Sequence, residues 1–537
     1  MSRLNFLHRG RVPKSRDRTP WPVDGLWFFG LLIGAIILFW ADLGSLPLRD
    51  WDEGIAAQVA REIYRTGNWL HPTTLGGTPY PEKPPLVHWG IALSYHIWGV
   101  SEMATRLFPA FLGALSVPLL YAIGRELFYR RTPAVFAALV YLTSIPVVRH
   151  GRLAMLDGAV LCFFLLLLWC ILRSRRDLRY GLGVGLALSA IALTKGILVA
   201  LLGAIAVLFV ALDTPRLLTS KYIAFGVTLG ILPAVAWYAA QGGYYGEEFF
   251  RFHFLDRGIG RLSEAVDANI GPPWYYLLEL LKYAWPWLLL LPWGVRFAWN
   301  YRNWSWGKLI LVWLAIYLLA ISAMQTKLPW YILPVYPAIA LAVGAYLAQV
   351  WHQDDNTASV PRSPRYPRVW TIVFGELAVV GWLGTIAFVG SNIEVSVTLG
   401  TIAMTMTLVT VLVMQRDRLF IPVLLWGMYV TLLSFVNSDV WIWELNESYP
   451  VKPVAELVAK VPPGEVVYTT YPRHRPSLNF YSDRLVLPTT SGEEFKKHWH
   501  NNDNTYFLLE SSSHPETAIV LGTAEGWTLV TRSQTSP

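Results

Sequence analysis

The sequence predicts a polytopic α-helical membrane protein of about thirteen transmembrane helices with a small C-terminal α/β extracytoplasmic domain. Three observations carry this. Hydrophobic residues make up 54% of the 537-residue chain and charged residues only 15%, against about 25% charged in ordinary soluble domains. Apolar runs long enough to cross a bilayer recur along the chain. Lys and Arg gather in alternate connecting segments, as the positive-inside rule requires. With a mean hydropathy of +0.39, these exclude a disordered chain, a collagen, a disulfide-rich scaffold and a soluble enzyme.

The elements follow in order. Residues 1–24 form a basic tail (Arg3, Arg9, Arg11, Lys14, Arg16, Arg18) ahead of a long apolar run, which reads as a signal anchor with its N-terminus inside. Residues 25–437 form the membrane domain. Apolar runs begin near Trp27, Leu107, Pro133, Gly158, Leu182, Ile197, Ile223, Tyr275, Leu309, Tyr331, Val369, Val395 and Phe420. The stretch 86–100 is apolar but short and carries His88 and His96. Placing it in the interface rather than across the membrane puts several basic groups inside with the tail. These include Arg125, Arg130 and Arg131, then Arg173, Arg175, Arg176 and Arg179, then Arg296, Arg302 and Lys308, and finally Arg362, Arg365, Arg368, Arg416 and Arg418. Cytoplasmic loops then hold more than half of the 44 basic residues. The net charge of +8 thus belongs to topology and calls for no nucleic acid. Residues 357–368 are a Pro/Arg/Ser-rich linker.

Residues 438–537 read as the outer α/β domain, with strands at 465–468, 485–487, 506–509 and 528–530 and helices at 453–460 and 493–500. Cys162 and Cys170 are about 12 Å apart along one helix, too far for a disulfide, and read as buried thiols. Gly181, Gly183 and Gly185 fall within a span and read as helix-packing positions. No zinc-protease motif, phosphate loop or nucleophile elbow is present, and Asn446-Glu447-Ser448 is an isolated sequon match.

Unusual charges fall on the predicted outer face. The first outer loop, 45–106, opens with Asp50-Trp51-Asp52-Glu53, three carboxylates directly after a span. They fit a helix N-terminus, a literal DxD metal motif, or a general base. Lys83 is held between prolines near the bilayer surface, where it suits either a lipid phosphate or a headgroup. Asp157 opens a span, where an ionisable group is costly. Arg149 and Arg152 break the positive-inside rule locally, and Lys195 and Lys327 sit at other outer turns. Together Asp52, Asp157 and these cations outline a site for a phosphate-bearing lipid and a general base. Segment 242–274 adds Arg251, His253, Asp256, Arg257 and Arg261, with His253 reading as an interface residue.

These residues carry a resemblance. Asp52-Glu53, Ala60-Arg61-Glu62, Thr66-Gly67-Asn68-Trp69, Gly77-x-Pro79-Tyr80-x-Glu82-Lys83-Pro84-Pro85, Met155-Leu156-Asp157, Leu193-Thr194-Lys195-Gly196 and Lys327-Leu328-Pro329-x-Tyr331 occur in this order. The series resembles the bacterial polyprenyl-phosphate sugar transferases of the C-type superfamily, akin to protein O-mannosyltransferases and lipid A aminoarabinose transferases. The resemblance implies an inverting transfer from a polyprenyl-phosphate sugar to a lipid or protein acceptor at the outer face of a bacterial inner membrane. It implies Asp52 as general base, with Asp157 and Glu53 as further catalytic candidates. Lys83, Lys195, Arg149 and Arg152 would meet the donor phosphate, and Tyr80, Glu82, Lys327 and Tyr331 the substrates. No cofactor is called for, with a divalent metal left open. Two departures leave the sugar open. Ile55 and Ala56 stand where aminoarabinose transferases carry Arg-Tyr, and 256–261 lacks their Glu-His pair, which counts against a metal held by Glu82. The competing readings are a flippase of lipid-linked sugars, which should show paired repeats and broken helices at the midplane, and an inactive relative acting as a binding module.

Overall fold

The computed structural model describes residues 21–50, 52–260, 269–352, 366–442, 449–489, 491–501, 505–511 and 518–532, with the backbone alone at 257–259 and 500–501. The basic tail up to residue 20, Trp51, Arg261, the linker up to residue 365 and the sequon lie outside the described residues. The chain divides into two compact units. One comprises Met1–Asp42, Glu82–Leu86 and Pro109–Trp441; the other comprises Leu43–Pro81, Val87–Phe108 and Ile442–Pro537. Most of the first outer loop thus falls in one unit with the C-terminal segment.

The first unit is helical. All thirteen predicted apolar runs lie in helices, but they are not thirteen uniform rods. Among the described residues, eight helices are long and apolar enough to cross a membrane, and the pair Thr132–Leu142 and Ile145–Arg152, bent by 60°, has the same character taken together, as a broken span or a re-entrant loop. Tyr180–Lys195, Leu198–Asp213 and Phe420–Val436 are shorter apolar helices, and the run from Tyr275 breaks into Tyr275–Tyr283 and Trp287–Asn300. A 16-residue helix reaches about 24 Å, short of the roughly 30 Å hydrocarbon core. Counting apolar runs therefore gives more segments than the length criterion accepts.

Small residues set the helix contacts, as expected where packing rather than water exclusion drives association. A Cβ at Gly344 would lie 2.4 Å from the Ala137 backbone nitrogen. The glycine-rich segment behaves as its sequence suggests: Gly181 and Gly185 meet Gly226 and Gly230 of the Lys221–Tyr245 helix backbone to backbone.

Ion pairs join one end of this bundle. Asp24 accepts from Arg125 and Arg131, Glu126 pairs with Arg173 and Arg176, and Asp213 pairs with Arg175 and Lys308. These are the segments whose basic residues grouped together in the sequence. The helix Leu156–Ser174 reaches this end at its C-terminus, so its opening residues lie at the opposite end.

The second unit contains a five-stranded sheet of order β2-β1-β3-β5-β4, formed by Val466–Thr469, Leu485–Pro488, Tyr506–Glu510, Ala518–Ala524 and Trp527–Arg532 as β1 to β5. β1 runs parallel to β2 and β3, while β5 is antiparallel to β3 and β4. Helices Val451–Val458, Pro476–Ser482 and Gly492–Asn501 accompany it. Val454, Val458, Val467, Leu478, Leu508 and Leu529 build its core. β4 and the Pro476–Ser482 helix had no counterpart in the sequence reading. β4 is an edge strand with a register break at Val520/Gly522 and three consecutive exposed residues, Ile519, Val520 and Leu521, so it lacks the alternation that marks a strand. The seven-residue helix is too short to show a period. From the first loop come the helices Asp52–Thr66 and Leu86–Trp98. The latter has 13 residues, about 20 Å, too short to span.

Candidate active site

The loop entering the Asp52–Thr66 helix is fixed by two buried carboxylates. Glu53 and Arg106 are both fully buried and joined by two bonds: Arg106 Nε donates to Glu53 Oε1 at 2.8 Å and Nη2 to Oε2 at 2.8 Å. Arg106 also donates to the carbonyls of Leu43, Leu46 and Pro47, so its five N–H groups tie the incoming chain to the helix start. The Arg49 N–H donates to Glu53 Oε2 at 3.0 Å. The sequence offered Glu53 as a catalytic residue. In the structure its oxygens serve a buried ion pair and a backbone amide.

Asp50 is occupied as well. Its side chain is 6% exposed and accepts from Arg475 Nε, from the Ser477 hydroxyl and from the Ser477 N–H. A metal-binding DxD would need this carboxylate outward. Asp52, the first residue of the helix, is the exposed member of the three. Among the described residues there is no group of three or more His, Cys, Asp or Glu side chains arranged to hold a metal ion. Tyr80 in this unit is buried, edge-on to the His88 ring at 5.7 Å, with its N–H donating to Pro72 O.

In the first unit the structure gathers three predicted residues. Lys195, the last residue of its helix, donates to Asp157 Oδ1 at 2.6 Å, in the first turn of Leu156–Ser174. Lys195 Nζ lies 5.3 Å from the Tyr331 ring centroid, and Tyr317 holds the Tyr331 carbonyl through a 3.0 Å bond. Asp157, Lys195 and Tyr331 come from distant parts of the sequence, and a pair buried to this degree, with side chains 11% and 16% exposed, is little screened. Glu82 and Lys83 are half-buried in the 82–86 segment of this unit.

Three other cations bond backbone carbonyls. Arg149, predicted to meet a phosphate, is buried and donates to the Trp441 carbonyl. Arg152, with the same prediction, is fully buried, donates to Leu38 O and Val436 O, and stacks 4.4 Å from the Trp441 ring centroid. Lys327, predicted to touch substrate, points its ammonium at the carbonyls of Ile321, Ser322 and Met324. Arg152 and Lys327 thus neutralise backbone carbonyls at helix ends, while the Trp441 carbonyl that Arg149 meets lies in the turn after the Phe420–Val436 helix. His253 packs on Tyr238, with Nε2 3.1 Å from the Tyr238 hydroxyl, as an interface residue does. Sequence reasoning missed Arg106 and Arg475. Arg106, a guanidinium five residues into an apolar helix, carried the signal of a costly intramembrane charge.

A family model described as dolichyl-phosphate-mannose-protein mannosyltransferase matches residues 82–238. An undecaprenyl phosphate-α-4-amino-4-deoxy-L-arabinose arabinosyl transferase of Pseudomonas fluorescens is 32% identical over 366 residues, 66% of this chain and 65% of that one. The corresponding transferase of an Enterobacter strain is 28% identical over 482 residues, covering 86% and 81%. This chain spans between 58% and 65% of the length of the first three such relatives. In fold, the crystal structure of ArnT from Cupriavidus metallidurans bound to undecaprenyl phosphate aligns over 95% of this chain and 98% of that chain, with TM-score 0.76 and 19% identity.

Proposed function

We propose, from the similarity of this chain to transferases named for dolichyl-phosphate mannose and for undecaprenyl phosphate aminoarabinose, that it transfers a sugar from a polyprenyl-phosphate donor to a hydroxyl of a lipid or protein acceptor. The observation that carries the assignment of the base is the division of labour at residues 50–53. Asp50 and Glu53 are consumed by Arg475, Ser477 and Arg106, while Asp52 is exposed at the helix start. In the reaction, Asp52 takes the acceptor hydroxyl proton as the oxygen attacks the anomeric carbon. The bond from that carbon to the phosphate oxygen breaks, and polyprenyl phosphate leaves with the electron pair, inverting the anomeric centre. Lys83 meets the leaving phosphate. Lys195 enters as a pair with Asp157, so its charge is largely offset and its part is to orient.

The first donor to try is the undecaprenyl-phosphate aminoarabinose named for the relatives, with lipid A as acceptor, beside other pentose and hexose donors, because Ile55 and Ala56 set this chain apart. The protein sits in a bacterial inner membrane, with up to thirteen crossings, Asp52 and the C-terminal segment outside, and the Leu86–Trp98 helix in the outer interface. Asp52→Asn tests the base: shape is kept and basicity lost. A positioned base contributes about 10²–10⁴-fold, so turnover should fall at least about a hundredfold with donor binding near normal. Native turnover in that variant would remove Asp52 from the chemistry. A strict divalent-metal requirement would bring a metal into it.

A further inference from the structure

The candidate base is gripped on both sides by one short segment of the C-terminal sheet unit. Two residues before Asp52, the Asp50 carboxylate is bound by Arg475 Nε and by the N–H and hydroxyl of Ser477. Two residues after it, Gly54 lies against the same segment: a Cβ there would stand 2.6 Å from the Ser477 nitrogen and 3.1 Å from the Pro476 carbonyl carbon. Both neighbours are backbone, so no side chain could yield. The Asp52 N–H donates to the Asp50 carbonyl at 2.9 Å, which couples Asp52 to the anchored residue through the main chain.

The grip is itself braced. Arg475 donates to the Tyr449 carbonyl at 3.2 Å, and its guanidinium carbon lies 4.1 Å from the Tyr449 ring centroid. Its side chain is 3% exposed. Farther along the helix, Arg61 Nη1 donates to Phe480 O at 2.5 Å, and Arg65 forms a two-bond pair with Asp483. These later contacts fix the helix axis. The 475–477 contact meets the chain on both sides of the base, at Asp50 and at Gly54.

We infer that Asp50, Arg475 and Ser477 are positioning residues for Asp52, so that the C-terminal unit sets the placement of the base. The inference rests on the reading of Asp52 as the base. Placement matters because a displacement of about 1 Å can cost roughly a hundredfold in rate. The anchor acts on the attacking side of the reaction alone, so donor affinity is outside its reach.

The test is steady-state kinetics on the full chain in detergent, with thermal unfolding measured alongside. Arg475→Lys and Asp50→Asn should each lower kcat by about tenfold to a hundredfold, with donor KM within about twofold. The double variant should be no slower than the slower single variant, because both remove one contact. Ser477→Ala, which loses only the hydroxyl, should give a smaller fall in kcat and keeps the test readable if the others fold poorly. Arg65→Ala loosens the far end of the helix and should keep native kcat even where Tm drops. Asp52→Asn runs in parallel. If it is inactive while the anchor variants keep native kcat, the anchor is only structural and the base reading stands. If Asp50→Asn and Arg475→Lys multiply, Asp50 acts on its own account and the positioning role is wrong. If Asp52→Asn is fully active, the base reading itself has failed.

Discussion

Replacing Glu53 by Gln separates two roles that the sequence could not. Glu53 and Arg106 have no exposed side-chain surface, and the carboxylate receives two guanidinium bonds at 2.8 Å and one backbone N–H at 3.0 Å. Gln keeps one oxygen but turns an NH₂ toward a wall of donors, and it leaves a buried guanidinium without its counter-charge. Breaking one side of a buried pair costs about 3–5 kcal/mol, a large part of the 5–15 kcal/mol that typically holds a domain. Expression should fall, and Tm in detergent should drop by about 5–10 °C. Arg106→Met should do at least as much, since it also frees the carbonyls of Leu43, Leu46 and Pro47. The pair Glu53→Met with Arg106→Met should recover part of the loss, because an apolar pair replaces two buried charges. The refuting result is Glu53→Gln with native Tm and abolished turnover, which would return Glu53 to the chemistry.

Lys83→Ala should raise the donor KM strongly while the protein stays folded, because a charge-assisted phosphate contact in a partly dry site is worth a few kcal/mol; unchanged donor affinity would make Lys83 a headgroup anchor. Stability should depend on pH through His474, whose burial holds its pKa below the usual value, with Asp50 opposing in part. The folded protein then binds fewer protons than the unfolded chain below about pH 6.5, so Tm should decline as pH falls from there, be insensitive to His474 above it, and flatten in His474→Asn. At lower pH the Arg65 bond, which holds Asp483 below the usual carboxylate range, gives stability present above the ordinary carboxylate pKa and lost as Asp483 protonates; Asp483→Asn should remove that component. Single cysteines at 128–132 should resist a membrane-impermeant reagent applied from outside; labelling there would reverse the proposed orientation.

The helices were legible because lipid imposes a simple code. A run of about twenty apolar residues must be helical to satisfy its backbone, and each of the thirteen runs lies in a helix. The strands of the sheet unit were legible where β-branched and aromatic residues cluster, as at Val466–Thr469 and Tyr506–Glu510. β4 was not, because its apolar residues face outward at a sheet edge. The motif order singled out Asp52, Asp157 and Lys195, and the structure pairs the last two, but spacing says nothing of what a carboxylate touches. Asp50, Asp52 and Glu53 are equivalent on paper. What sets Asp50 and Glu53 apart are Arg475 and Arg106, which lie 425 and 53 residues away from the acids they bind.

Arg152 and Lys327 share one physical circumstance. Both sit where the sequence predicts the outer face, where a cation suits a bound anion. Helices also end there. A helix C-terminus carries about half a negative charge and up to four unsatisfied carbonyls, a demand as real as a phosphate. Arg152 serves Val436, the last residue of the Phe420–Val436 helix, and Leu38 near the end of Trp21–Trp40. Lys327 serves the end of Ser305–Ala323. Lys83 has the opposite address: it lies three residues before the Leu86–Trp98 helix begins, an end whose partial charge is positive. Capping carbonyls of that helix is not open to it. Lys83 therefore keeps the phosphate role that the Glu82-Lys83-Pro84-Pro85 motif suggests, and the donor KM of Lys83→Ala decides it.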